Sequence, residues 1–241
     1  MTARTIRPYG DRALLLDCRD PEEALALHTE LAGQPWVAEA IPGARTLLVR
    51  LHEPPTPEQR ARLAGAPATP EAPEPGRLVE VEVIYDGPDL HLVADTLRLS
   101  PAAVVAQHTG TEWQVAFCGF VPGFAYLHDP RGRHPRVPRR TESRTVVPAG
   151  SVAIAAQWSG IYPRQAAGAW NVIGRSATPI WTPALDQPTV LGPGDRVRFI
   201  ATTESASTGS PLVRMSDPGG RPTDRAGRDA PASDAFIGRV P

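Results

Sequence analysis

Two periods of apolar and polar residues run along this chain, and the points where one gives way to the other divide it. Ala13-Leu14-Leu15-Leu16 follows a Gly10-Asp11 turn and predicts a first strand. Leu25, His28, Leu31 and Ala32 then recur at helical spacing. They stand behind Asp20-Pro21-Glu22-Glu23, where a capping Asp, a proline at the first helical position and two acids in the first turn mark a helix start. Residues 37–41 and 46–51 predict two strands about a Pro42-Gly43 turn, and Thr56-Pro57-Glu58 opens a second helix by the same capping logic. Residues 65–76, rich in Pro, Ala and Glu, predict a loose loop. Leu78-Val79-Glu80-Val81-Glu82-Val83-Ile84 alternates cleanly and is expected to close the unit. The resulting order, β-α-β-β-α-β, is that of a ferredoxin-like α/β domain, expected over residues 1–85.

Asp86-Gly87-Pro88 predicts a hinge. Two helical segments follow it, residues 89–97 and 100–108, the second with Ser100 as cap and Pro101 at its first position. From Gln114 onward short apolar alternations dominate, such as Ser151-Val152-Ala153-Ile154-Ala155 and Trp170-Asn171-Val172-Ile173. A Leu191-Gly192-Pro193-Gly194-Asp195 turn feeds the last of them, Arg196-Val197-Arg198-Phe199-Ile200. Many short strands bounded by Gly and Pro predict a β-barrel, expected over residues 88–203. The fold class is therefore α+β. Residues 204–241 are polar and poor in large apolar side chains, too poor to offset the entropy of ordering, and are expected to be disordered.

Composition changes this picture by exclusion. With 41% hydrophobic and 21% charged residues and a net charge of -1, the 241-residue chain gives no sign of a nucleic-acid or anionic-membrane partner. No apolar stretch approaches the ~20 residues of a transmembrane helix, and the first residues do not form a signal peptide. Cys18 and Cys118, the two cysteines, lie far apart, which argues against a disulfide framework or a zinc site and for buried thiols in the cytoplasm. All 25 basic residues are arginine. A P-loop lysine, a Schiff-base lysine and a biotinylated lysine are thus excluded, and a phosphate or carboxylate is expected to be held by Arg, backbone N–H groups or a metal, Arg offering the bidentate fork.

Candidate chemistry concentrates in residues 117–174, where Phe120, Phe124, Tyr126, Trp158, Tyr162 and Trp170 accompany a cluster of arginines, Arg131, Arg133, Arg136, Arg139, Arg140 and Arg144. Apolar walls with a few anion-holding groups suit a ligand cleft. Arg140 and Arg144 fall on one side of an extended segment and Arg139 on the other. The pair therefore suits clamping one anion, and Arg139 suits partner contact; a solvated basic loop is the alternative for all three. Gln157 and Tyr162 are substrate-binding candidates at a barrel mouth or structural residues beside turns. Trp170 is a stacking platform or core, and Phe120 and Phe124 join Arg139 as partner-binding candidates. His108 ends a helix, where the dipole favours imidazolium. His128 and His134 lie near Asp129 without the spacing of a metal site, so no metal is assigned. Neither Gly-x-Ser-x-Gly nor His-Glu-x-x-His occurs, and no catalytic residue is assigned.

Gly119-Phe120-Val121-Pro122-Gly123-Phe124-Ala125-Tyr126-Leu127 begins a longer likeness. It continues through Pro138-Arg139-Arg140, Arg144, Val147-Pro148-Ala149-Gly150-Ser151-Val152, Gln157, Ile161-Tyr162-Pro163, Gly168, Trp170 and Ile173-Gly174, with Ala40-Ile41-Pro42-Gly43 upstream. On these residues the chain resembles the KipI / allophanate hydrolase subunit 1 family from about residue 4 to residue 200. It departs from the family at Ala167-Gly168-Ala169-Trp170, where Pro-Gly-Gly-Trp is usual. The resemblance implies a ferredoxin-like domain followed by a cyclophilin-like barrel. It also implies a non-autonomous subunit of 5-oxoprolinase acting with the subunits PxpC and PxpA. Such a complex hydrolyses 5-oxo-L-proline to L-glutamate with ATP and magnesium bound at the level of the complex. The alternative within the family is a KipI-like regulator that binds and inhibits a sensor histidine kinase.

Overall fold

The structure, a computed structural model, describes residues 4–65, 76–184, 188–203 and 214–216. The chain divides into two compact units, the first Met1–Glu74 with Ala116–Cys118 and the second Pro75–Val115 with the residues from Gly119 on. No helix among the described residues is long and apolar enough to cross a membrane.

The first unit runs β1 (Ile6–Pro8), β2 (Ala13–Asp17), α1 (Pro21–Leu31), β3 (Val37–Pro42), β4 (Thr46–Leu51) and α2 (Pro57–Ala64). Both helices begin where capping chemistry places them. Asp20 accepts the Glu23 N–H at 2.8 Å, and Thr56 and Gln59 form a reciprocal capping box. The antiparallel sheet has the order β1-β2-β4-β3. Its inward residues Leu14, Leu16, Leu47 and Val49 pack with Leu27, Leu31 and Leu63 of the helices. Cys18 lies in this core, where burial, with the Glu23 carboxylate nearby, pushes its thiol up to about 11. Cys18 is a free, buried thiol.

The strand expected to close this unit does not belong to it. β5 (Leu78–Val83) pairs in parallel with β13 (Arg196–Ala201) in a second sheet, from Leu78↔Arg196 to Val83↔Ala201. Its alternation was a sound sign of a half-buried strand, with Val79, Val81 and Val83 fully covered. Alternation says nothing, however, about which sheet supplies the cover. The edge beside β2 is filled by β1, folded back through a turn in which Gly10 has φ +70°. The expected limit at residue 85 is thus corrected to the stretch before β5, and a sheet of β-α-β-β-α-β composition is not what forms.

The second unit continues with α3 (Leu90–Leu97), α4 (Pro101–Gly110), β6 (Trp113–Cys118), β7 (Ala125–His128), β8 (Arg144–Val147), β9 (Ser151–Ala155), β10 (Trp158–Ile161), β11 (Ala166–Gly168) and β12 (Asn171–Arg175). Ser100 caps α4 by accepting the Ala103 N–H. With β13 and the short β14 (Arg214–Ser216), an eight-stranded sheet has the order β12-β9-β10-β7-β6-β13-β5-β14, and β8 pairs separately with β11. A bridge between Ile84, just past β5, and Arg175 of β12 nearly closes that sheet into the expected barrel. β9 is buried along its whole length.

The expected disorder of 204–241 falls largely outside the described residues, as does the loose loop over 66–75. Residues 214–216 correct the first expectation locally, because they form a strand on β5, with Met215 opposite Val79.

Candidate functional site

A single carboxylate organises the arginines. Asp89 precedes α3 as its N-cap residue but makes no side-chain cap bond. Its buried carboxylate turns instead to the barrel. Oδ1 accepts from Arg140 Nη1 at 2.7 Å and Arg144 Nη2 at 2.8 Å. Oδ2 accepts from Arg144 Nη1 at 2.6 Å and the Val172 N–H at 2.8 Å. Burial alone would raise the Asp89 pKa, but the Arg144 bonds, the Val172 N–H and the charges of both arginines outweigh it and hold the carboxyl below its usual range. Asp89 pushes Arg144 upward in return. Two neighbouring backbone bonds, Gly87 N–H to Ile173 O and Asp89 N–H to Val172 O, fix this approach. At Gly87 a Cβ would lie 2.3 Å from the Ile173 carbonyl carbon, so the contact requires glycine.

Arg140 and Arg144, expected to share one anion, do converge on one, but it is a side chain of this chain. Arg144 is bidentate there, through Nη1 and Nη2. Arg140 is engaged through Nη1 alone; its Nε is buried without a partner. Arg139 is exposed and forms no ion pair among the described residues. Both Arg139 and Arg140 line a cavity of about 300 Å³ between α3 and residues 137–142, together with Leu92, Val137, Pro138 and Glu142. The cavity is at the small end of the roughly 300–1,000 Å³ typical of ligand clefts.

The aromatic candidates lie elsewhere and mostly inside. Phe124, Tyr162 and Trp170 are 1%, 2% and 7% exposed. They form an edge-to-face cluster in which Phe124 stands 5.3 Å from Tyr162 and 5.4 Å from Trp170. Phe124 is thereby corrected from partner contact to core, and for Tyr162 and Trp170 burial favours the structural and core alternatives over ligand contact. At Gly168 a Cβ would come within 2.1 Å of the Tyr162 hydroxyl, so the glycine in the Ala167-Gly168-Ala169-Trp170 run is what lets that ring in. Phe120 is different: it adopts φ +68°, which turns it outward, and is 59% exposed over Phe124. Gln157 sits in the tight β9–β10 turn and accepts from Arg136 Nη2 at 2.6 Å, apart from the Asp89 cluster.

His108 is not at an exposed helix end. It is fully buried, with Nδ1 2.7 Å from the Tyr85 hydroxyl and Nε2 2.8 Å from the Ser159 hydroxyl. Its ring stacks on Phe199 at 4.4 Å. Burial, and then the nearby His134, holds its pKa well below the ordinary histidine value, which overturns the expected imidazolium. Asp129 accepts the backbone N–H groups of Arg131, Arg133 and His134 and serves as the anchor of that loop. Among the described residues no three His, Cys, Asp or Glu side chains are placed to hold a metal.

Asp89 and the Tyr85-His108-Ser159 set were both missed in the sequence. One signal was compatible with the first: six arginines stand within residues 131–144 with only Asp129 and Glu142 as nearby acids, which leaves room for an acid from elsewhere in the chain. Nothing local marks the second.

Residues 4–191 match the family described as carboxyltransferase domain, subdomain C and D. The chain is similar to the B component of 5-oxoprolinase from Escherichia coli O157:H7, with 39% identity over 208 residues, 81% of this chain and 94% of that protein. It is also similar to the B component of 5-oxoprolinase from Bacillus subtilis (strain 168), with 40% identity over 53% of this chain and 54% of the relative. The solved structure of TTHA0988 superposes with a TM-score of 0.66 and 34% identity, covering 83% of this chain and 41% of that longer one.

Proposed function

This chain belongs to the carboxyltransferase domain, subdomain C and D, family, and on that premise we propose that it is the B-type component of a 5-oxoprolinase. The observation that carries this reading is the 39% identity extending over 94% of the Escherichia coli B component. In this reading the chain acts with PxpC and PxpA to open 5-oxo-L-proline to L-glutamate at the expense of ATP, and is inactive alone.

The chemistry explains why several subunits would be needed. The lactam amide is resonance-stabilised, so water attacks its carbonyl slowly unless the oxygen is first made a leaving group, which ATP supplies when bound. In this reading ATP and magnesium are bound at the level of the complex. The part proposed for this chain is to bind and orient a carboxylate-bearing substrate, for which guanidinium groups in an apolar setting are suited.

Glutamate release from 5-oxo-L-proline should require ATP, PxpC, PxpA and this chain together. Assays with each component omitted in turn check this. Turnover by this chain alone, or undiminished turnover without it, would refute the proposal.

A further inference from the structure

We propose that the exposed Phe120 ring, with Arg139 on the same side of the barrel, is a docking point for another protein component, one that offers an apolar pocket rimmed by carboxylates. The inference rests on the 5-oxoprolinase reading, in which the chain works inside a complex. A single exposed apolar side chain is ordinary on a protein surface. Phe120 differs in how it comes to be exposed. Its φ of +68° is a backbone conformation unfavourable to a bulky aromatic residue, yet the residue stays 59% exposed and gains little burial in return. The turn joining β6 to β7 holds it there. Gly119 N–H donates to Phe124 O at 3.1 Å, Val121 N–H to Gly119 O at 2.8 Å, and Phe124 N–H to Val121 O at 3.0 Å. Gly123, at φ +81°, lies so close to Trp181 that a Cβ would stand 2.8 Å from that side chain. The Phe120 ring itself rests edge-to-face on Phe124 at 5.6 Å and on Tyr162 at 6.4 Å, both of the buried aromatic cluster. An aromatic ring mounted on a fixed turn loses little freedom when a partner covers it.

Charge sets the chemistry of the partner. Arg139 is exposed and in no ion pair among the described residues. Burial raises the pKa of Tyr126 and Tyr162, and the Arg139 charge opposes that rise at both, which places the guanidinium beside the aromatic cluster on which Phe120 rests. Arg164, two residues past Tyr162, is exposed as well. Residues 119–144 and 158–168 contain two acids only. Asp129 is taken up by three backbone N–H groups, which leaves Glu142 as the exposed one. The surface around Phe120 is therefore short of carboxylates, and a partner that supplies them is complementary to it. Aromatic and arginine side chains are also the types that carry most of the binding energy at protein interfaces. A polypeptide neighbour agrees with TTHA0988, in which the matching fold makes up 41% of the chain and is joined to a longer remainder.

The test is binding of the purified full chain to purified PxpC and to purified PxpA, by calorimetry and by association kinetics. The unmodified chain should bind one of them, with an association rate that falls as salt is raised. Phe120→Gly removes the ring and suits the positive φ, so the melting temperature should hold while affinity falls about thirtyfold or more, the loss typical of an interface hot spot. Arg139→Glu should weaken binding about tenfold or more, chiefly through slower association. Tyr9→Ala removes an exposed aromatic ring of the first unit and should leave affinity unchanged. Affinity within about threefold of the unmodified chain in either Phe120→Gly or Arg139→Glu would overturn the inference. So would no binding to either protein, or a loss in Tyr9→Ala equal to that in Phe120→Gly. Self-association of the unmodified chain that Phe120→Gly abolishes would overturn it too, by making this face a contact between copies. Turnover separates this inference from the reading beneath it. If glutamate release requires this chain and Phe120→Gly sustains it fully at limiting concentration, the docking point falls and the subunit role stands. If glutamate release does not require this chain, the subunit role itself falls.

Discussion

Asp89→Ala is expected to destabilise the second unit by about 3–5 kcal/mol, the usual cost of removing one partner from a buried ion pair. A fall in melting temperature on the order of 10 °C should follow. The loss is large because one carboxylate serves four donors from three places: Arg140, two nitrogens of Arg144, and the backbone of Val172. Its removal leaves two part-buried guanidinium groups repelling each other and orphans the Val172 N–H. A double variant with Arg144→Leu should therefore be less damaged than the sum of the single changes, because it removes one of the two stranded charges. The pH dependence has a definite sign. Asp89 has a lowered pKa in the folded protein, so its stabilisation is complete above the unfolded value of 3.8 and is lost as pH falls below that through the folded value. Acid unfolding of Asp89→Ala should lack this component. Unfolding curves differing by under about 1 kcal/mol would mean that water and neighbouring groups serve the arginines as well as Asp89 does.

The sequence made the local parts of this structure legible and left the long-range ones closed. Asp20-Pro21, Thr56-Pro57 and Ser100-Pro101 each start a helix where they stand, because the capping bond and the missing proline donor act within three residues. β5 was legible as a strand and misassigned to a sheet, since pairing with β13 spans more than 100 positions and leaves no mark on β5 itself. The same limit applies to the site. Chain alternation grouped Arg140 with Arg144, and both do reach one anion, but that anion lies 51 and 55 positions away. Phe120 and Phe124 looked equivalent in one glycine-rich run. What separates them is the positive φ at Phe120, which sends one ring outward and leaves the other in the core. The cavity was not legible at all, because α3 and residues 137–142 meet only in the folded unit.

Replacing His108 should change both the stability of this protein and its response to pH. In His108→Ala the Tyr85 and Ser159 hydroxyls lose their shared partner, and a space opens against Phe199 and Trp113. Cavity formation and two orphaned polar groups together predict a loss of about 3 kcal/mol or more at neutral pH. Burial, more than the neighbouring His134, keeps the folded imidazole neutral well below pH 6.5. An unfolded chain would take up a proton there. The sign is thus fixed: the contribution is complete above about pH 6.5 and declines as pH falls, with a slope of up to ~1.4 kcal/mol per pH unit for the group. The groups facing the ring do not reverse this. Ser159 is neutral, Tyr85 is held in its protonated form by burial, and His134, itself shifted down chiefly by burial, adds a decline of the same sign. Urea unfolding at pH 7.5 and at pH 5.5 should therefore show a drop in stability for the unmodified chain and a smaller one for His108→Gln. That variant keeps a donor and an acceptor for the two hydroxyls while removing the titration, so packing and protonation are read separately. Equal pH slopes in the two proteins would show that His108 takes up its proton inside the fold, and that the Tyr85-His108-Ser159 chain opens to water in acid.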